Sequence, residues 1–243
     1  MNDLPDFSAL FHQSSKDHSK NSGAKIGGWP AEWTTTYYKT YPRLRKIKLG
    51  DAPLSGSLSE LIVSRESRRE FSPEPLTNAD IGTLLKYSCG ITGRLDDERY
   101  RRAHPSGGAR FPIEVYPVVV RGSDIKSGLY HYNVKDHALD VLWEREFTPD
   151  DIGNLFTYEW VKNAAVVFVM TAVFWRMQNK YGLRGYRHIL LEAGHIGQNV
   201  YLVAEAMGLK CCAISGTRDQ NLEKLIDIDG VTESVVYAIA VGQ

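Results

Sequence analysis

Cysteine is scarce: Cys89 and the adjacent pair Cys211 and Cys212 are too few, and too awkwardly spaced, for a disulfide framework or a four-ligand zinc site. Reduced thiols in a cytoplasmic protein are the expectation. An excess of one charge is also lacking, since Lys plus Arg and Asp plus Glu each number 29, so no long-range field gathers nucleic acid or an anionic membrane. No apolar run approaches the roughly eighteen residues of a spanning helix. The stretch from Met1 to Lys20 carries acidic residues and no apolar block, unlike a secretory signal. Nucleic acid and membrane are therefore not expected partners. Gly-x-Gly-x-x-Gly and Gly-x-x-x-x-Gly-Lys patterns are missing, and the histidines show no metal-ligand spacing, so Rossmann, P-loop and metal sites are not expected. Ser106 and Ser215 lack the nucleophile-elbow context of a hydrolase.

What is present is core material. Thirteen Tyr, eight Phe and five Trp within a 43% apolar chain of 243 residues predict one folded domain plus an extension. Residues 1–55 form that extension and 56–243 the domain. Within the extension, 14–28 are polar and read as a flexible arm, whereas Trp33, Tyr37, Tyr38 and Tyr41 give the stretch 29–49 a reason to lie across the body.

Apolar spacing at Leu58, Leu61, Ile62 and later Phe71 predicts a helix running into a basic loop. Thr77 caps the next helix, with Asp80 in its first turn, Ile81, Leu84, Leu85 and Tyr87 as its apolar face, and Gly90 as its end. Strands are expected at 113–120, at 128–132 and 138–143 as a hairpin-like pair, at 164–173 and at 234–241. Thr148 and Pro149 open a short helix, a long helix covers 186–207 up to Gly208, a loop follows at 213–217, and a further helix at 221–225. Strands and helices mix without regular βαβ alternation, so the class is α+β.

Three segments carry the chemistry. Arg65, Ser67, Arg68 and Arg69 lie at a helix end, where guanidinium forks could hold a phosphate; a solvated basic loop neutralised by Glu66 and Glu70 explains them as well. Pro105-Ser106-Gly107-Gly108 could press backbone against a flat ligand, or simply make a tight turn. The small-residue loop at Ser215 and Gly216 could offer a backbone N–H to a heterocycle.

In order along the chain, these segments resemble the nitroreductase family, and within it the SagB-type dehydrogenase branch that includes the azoline oxidases. The likeness spans about residues 58–242. It is strongest at Ser-Arg-Glu-Ser-Arg-Arg-Glu-Phe, Pro-Ser-Gly-Gly-Ala, Gly-Leu-Tyr-His-Tyr from Gly128, Lys-Tyr-Gly-Leu-Arg-Gly-Tyr-Arg from Lys180, and Leu-Glu-Ala-Gly-His-Ile-Gly-Gln-Asn from Leu191.

The resemblance implies an α+β fold with a mixed central sheet flanked by helices, an intertwined homodimer, and FMN shared between two chains. Arg65, Ser67 and Arg69 would hold phosphate, ribityl and the pyrimidine edge. Pro105, Ser106 and Gly108 would pack on the ring system from the partner subunit, Ser215 and Gly216 would lie near N5, and Gln198 would face flavin or partner. Lys180 and Tyr181 match the Lys-Tyr pair to which azoline oxidases are thought to assign proton abstraction; the bland alternative is a surface Lys beside a packed Tyr. Nearby Arg184 and Arg187 could assist Lys180. His195 reads as a hydrogen-bonded packing residue, and the small residues Ala193, Gly194 and Gly197, which permit close backbone approach, are expected in the two-fold interface of the homodimer.

Two departures stand out. The chain given stops at Gly242 and Gln243, where many family members carry further basic residues, so Arg102 or Arg218 is asked to complete the phosphate anchor. Arg110 occupies a position where the branch more often has an apolar residue. The expected activity is oxidation of a thiazoline or oxazoline in a peptide natural product. The alternatives are an NAD(P)H-dependent nitro or quinone reductase, or a non-catalytic flavin-binding partner in a biosynthetic complex.

Overall fold

The computed structural model of the chain describes residues 6–16, 38–96 and 100–243. Trp33, Tyr37 and most of the expected flexible arm lie outside them. Strands apolar at every position need cover on both faces, and that requirement shapes the fold. Among the described residues the strands are β1 (Lys46–Lys48), β2 (Ile91–Arg94), β3 (Tyr100–Arg102), β4 (Ile113–Val119), β5 (Gly128–Asn133), β6 (Ala138–Glu144), β7 (Val166–Val173), β8 (Lys210–Ile214) and β9 (Glu233–Gly242). Seven form one sheet in the order β1-β6-β5-β4-β7-β9-β8, and β2 and β3 make a separate ribbon.

Side chains alternate between the two faces with the strand period of two. Ile113, Val115, Phe168, Met170, Ile239 and Val241 enter one core. Tyr116, Val118, Val167, Val169, Ala238 and Ala240 enter the other. The first core is closed by α3 (Asn78–Cys89), α5 (Trp175–Tyr181) and α6 (Gly185–Ala206), the second by α4 (Pro149–Leu155) and α7 (Asp219–Ile226). Thr77 and Thr148 cap α3 and α4 through reciprocal bonds with Asp80 and Asp151.

The α+β class and helix-flanked sheet are as expected. The mixed character is not: every strand pairing described in the sheet is antiparallel, and a parallel contact occurs only as the isolated bridge between Leu76 and Gly122. Helix α2 (Leu58–Ser64) is shorter than its apolar spacing suggested. It leaves Leu58, Ile62 and Val63 exposed, and Phe71 sits beyond its end. Tyr87 also faces outward. The first two residues of the loop expected at 213–217 belong to β8, whose Cys-Cys pair hid a strand. All three cysteines are free and buried, and burial pushes the Cys89 thiol up to about 12.

Part of the extension lies across the body. β1 pairs with β6 at the sheet edge, the Lys39 ammonium meets Glu233 at 2.5 Å, and the Tyr41 amide donates to Asp140 at 3.3 Å while its ring packs on His131. Beneath it, Glu114, His131, Asp140 and Arg176 form a buried charged row. His131 Nε2 lies 2.9 Å from Glu114 and Nδ1 3.3 Å from Asp140, and Arg176 donates to Glu114 at 2.5 Å.

Candidate functional site

The candidate residues fall into two groups. The first is assembled where the segment after α2 runs beside β8, held by the bond from the Arg68 amide to the Cys211 carbonyl. Arg68 itself is tied to Glu66 and Glu205, both at 2.9 Å. Among the described residues, Arg65 and Arg69 have no carboxylate at ion-pair distance. They lie instead over the rings of Tyr201 (5.4 Å) and Trp160 (5.9 Å). The Ser67 hydroxyl lies 2.9 Å from that of Tyr201, which also accepts from the Ala213 amide on β8. Beyond β8, the Ser215 hydroxyl lies 3.2 Å from that of Tyr158, which stacks on Trp160. Gly216 is pressed onto Thr157: a Cβ there would stand 1.9 Å from the Thr157 hydroxyl.

Tyr158, Trp160 and Tyr201 therefore connect Arg65, Ser67 and Arg69 to Ser215, and the sequence reading missed all three. The one available signal was Tyr201, three residues after Gln198 and so on the same side of α6.

The second group lies at the other end of α6. The loop carrying Pro105, Ser106 and Gly108 packs on Lys180 and Tyr181, the last two residues of α5. At Gly108 a Cβ would stand 2.8 Å from Tyr181 Oη and 2.9 Å from Lys180 Nζ, so a side chain there would displace both groups, and φ of +64° favours glycine. The Ser106 hydroxyl accepts from the Phe111 amide at 2.9 Å, and Pro105 is exposed. Lys180 Nζ rides 5.3 Å from the Tyr181 ring centroid, and that ring meets His188 at 5.0 Å. Lys180 is exposed. Of the two cations expected to assist it, Arg187 is engaged by Ser15 and the His12 carbonyl of α1 (Phe7–Ser14).

Tyr201 lies sixteen residues beyond Gly185 on α6, about 24 Å at 1.5 Å per residue. The approach to the 105–108 loop runs back along α6, where the Ala103 carbonyl accepts from Asn199 at 3.3 Å and His104 lies 3.1 Å from Glu192. A cleft of about 870 Å³ bounded by Pro73, Arg121, Phe147 and Lys162 contains none of the candidates. Between the groups, Leu191, Gly194, His195 and Gln198 are exposed at helical spacing and form one open stripe on α6. Three expectations are corrected here. Ala193 and Gly197 face the chain's own core, with Tyr237 2.6 Å from where a Gly197 Cβ would be, and only Gly194 of the small-residue patch is open. His195 is exposed, not packed. Arg102 is buried under the rings of Phe111 and Tyr38, at 4.5 and 5.4 Å, and is not available to a surface phosphate; Arg218, before α7, is exposed.

The family model for the Nitroreductase family matches residues 62–243. The chain belongs to the nitroreductase family. Among curated relatives of this family member, MJ1384 of Methanocaldococcus jannaschii is 29% identical over 187 residues, 77% of this chain and 88% of that protein. The trifolitoxin-processing protein TfxB of Rhizobium leguminosarum bv. trifolii is 32% identical over 70% of this chain and 48% of its own. The microcin B17-processing protein McbC of Escherichia coli is 29% identical over 73% and 69%. TfxB and McbC bear out the SagB-type resemblance of the sequence segments.

Solved structures agree on the nitroreductase fold. One from Anabaena variabilis has a TM-score of 0.73 at 23% identity, covering 96% of this chain and 45% of its own. The E. coli microcin synthetase McbBCD complex with truncated pro-MccB17 bound has a TM-score of 0.62 at 21% identity, covering 98% and 91%. One from Desulfovibrio desulfuricans, in complex with FMN, has a TM-score of 0.54 at 17% identity, covering 77% and 86%. The chain spans about half the length of TfxB and of the Anabaena protein. No helix among the described residues is long and apolar enough to cross a membrane.

Proposed function

We propose that this nitroreductase-family chain is an FMN-dependent dehydrogenase that oxidises a thiazoline or oxazoline of a peptide to the corresponding azole, acting as a homodimer. The observation that carries the reading is the packing of Gly108 on Lys180 and Tyr181, which fixes a Lys-Tyr pair against the Pro-Ser-Gly-Gly loop. The peptide-processing names of TfxB and McbC support the substrate class.

The residues present fit the flavin. Arg65 and Arg69 are cations without carboxylate partners among the described residues, suited to the phosphate, and Arg218, four residues beyond β8, is exposed. Ser67 offers a hydroxyl to the ribityl chain or ring edge, and Ser215 and Gly216 close the other side. Pro105, Ser106 and Gly108 would meet that flavin from a second chain, in the shared site that the family resemblance implies. Leu191, Gly194, His195 and Gln198 present the open face on which a second copy would dock.

Aromatising an azoline removes one hydrogen as hydride and another as a proton from carbon. FMN, when bound, would supply the hydride acceptor, with dioxygen as the final oxidant. Lys180 Nζ, as the neutral amine, would take the proton and become the ammonium, while the Tyr181 hydroxyl would orient the amine or relay. Gly108 and Ser106 hold the loop against that pair.

The deciding experiment offers an azoline peptide and dioxygen to the purified protein, then NADPH and a quinone without dioxygen. Azole formation, seen as loss of two hydrogens by mass spectrometry, is expected. Rapid flavin bleaching by NADPH with no azole would instead establish the reductase. A colourless protein that cannot be reconstituted with FMN would establish the non-catalytic partner. Two further outcomes follow from the geometry. The Arg65→Ala, Arg69→Ala double variant should purify without FMN, as chromatography of released cofactor would report; undiminished FMN would remove these arginines from the site. Gly194→Trp points into open space in the single chain, so light scattering should find a folded monomer, and flavin should be lost with the dimer. A dimeric, flavin-loaded Gly194→Trp would move the interface elsewhere.

A further inference from the structure

We propose that Arg110 is a positioning residue that clamps α5 to the 105–111 loop and thereby fixes where Lys180 and Tyr181 stand. The proposal rests on the proton-abstracting reading of that pair. Three of the four residues 108–111 have positive φ: Gly108 at +64°, Ala109 at +53° and Phe111 at +44°. The last two carry side chains, which disfavour this conformation, so the loop holds its shape only through bonds to its surroundings.

Those bonds lead to α5. Phe111 is held from both sides, its amide by Ser106 and its carbonyl by Arg176 Nη1 at 3.0 Å, and Arg176 is anchored on Glu114. Arg110 supplies the second tie. Its Nε donates to the Arg176 carbonyl and its Nη2 to Asn179 Oδ1 at 2.5 Å. These acceptors are three residues apart, one turn of α5, and Asn179 immediately precedes Lys180. A planar guanidinium can donate to both at once, whereas a lysine ammonium at the end of a flexible stem lacks that fixed fork. The loop leaves no slack where this matters, because Gly108 already touches both Lys180 and Tyr181. Moving α5 outward would separate the pair from the loop, and moving it inward would collide with Gly108. Arg110 therefore adds a second tie, at the Lys180 end of α5, to the one that Arg176 makes through Phe111 and Glu114 of β4.

The test uses the FMN-loaded dimer and compares Arg110→Ala, Arg110→Lys and Asn179→Asp. Turnover of an azoline peptide, bound FMN, and hydrogen exchange of peptides covering 105–111 and 175–181 are measured together. Arg110→Ala and Arg110→Lys are expected to lower kcat by about 10- to 100-fold, the scale of a misplacement near 1 Å. KM and bound FMN should stay unchanged, and exchange should rise in both segments while β4 and β7 stay protected. Asn179→Asp keeps the acceptor and should stay near the parent kcat. Wild-type kcat in both Arg110 variants, an effect on KM alone, or unchanged exchange in the two segments would overturn the proposal. Lys180→Ala is assayed alongside. If it oxidises the peptide at full rate, the proton-abstracting reading falls, while the exchange data still decide whether Arg110 is the clamp.

Discussion

Lys180→Ala and Tyr181→Phe are each expected to keep bound FMN and the dimer and to lose about 10²- to 10⁴-fold in azoline oxidation, the usual range for removing a general base. Lysine carries the larger share, since it receives the proton, and tyrosine orients or relays. Neither substitution disturbs a core: Lys180 is exposed, and Tyr181→Phe keeps the ring that meets Gly107 and His188. The contrast with a reductase is sharp, because flavin reduction by NADPH deprotonates no carbon acid. Steady-state rates with an azoline peptide, and with NADPH plus a quinone, separate the two. Full azoline oxidation by Lys180→Ala would remove the lysine from the mechanism.

Glu114→Gln should destabilise the fold by about 3–5 kcal/mol, because it strands the buried Arg176 guanidinium without its counter-ion. Burial alone would raise the Glu114 carboxyl pKa, but Arg176 first and His131 next outweigh it and hold the group well below the usual carboxylate range. Its stabilisation is therefore fully present above the unfolded value near about 4.3 and is lost as pH falls toward the depressed folded value. His131 moves the other way. Burial alone would lower it, yet the hydrogen bonds it donates to Asp140 and Glu114 raise it. Its contribution is fully present below the unfolded value of about 6.5 and disappears as pH climbs through the raised folded value. Denaturant unfolding across pH should give a maximum between these limits, with Glu114→Gln flattening both limbs. A variant as stable as the parent would show that the row of charges does not hold the sheet.

Much of the fold was legible because strands buried on both faces leave long apolar runs, as at 113–119 and 166–173, and because Thr-Pro-Asp-Asp and Thr-Asn-Ala-Asp announce capped helices. β8 escaped because two cysteines in five residues carry no strand signal without their neighbours. α5 was also missed: its pattern is broken by Arg176, a residue that local reading places on the surface and the structure buries against Glu114. The same blindness to long-range pairing misplaced Arg102, which looked free in Tyr-Arg-Arg and lies beneath Phe111. Ala193 and Gly197 were taken for an outer face because small residues permit close approach, and they do, but toward Tyr237 of the same chain. Within the candidate site, the motif segments were visible one by one. What joins them is not: Tyr158 and Trp160 come from one stretch and Tyr201 from another, and only folding shows that they bridge Arg69 to Ser215 and Ser67 to Ala213.

The strap formed by residues 38–48 changes what counts as dispensable. Lys39 is the partner of Glu233, Tyr41 covers His131 and bonds Asp140, and β1 closes the sheet at β6. A chain begun at Gly56 would keep every residue of the candidate site and still leave Glu233 without its cation and Asp140 without the Tyr41 amide, with β6 an uncovered edge strand ready to pair with the next molecule. The stretch easiest to trim as a tail is the one that keeps the interior electrically quiet and the sheet from growing.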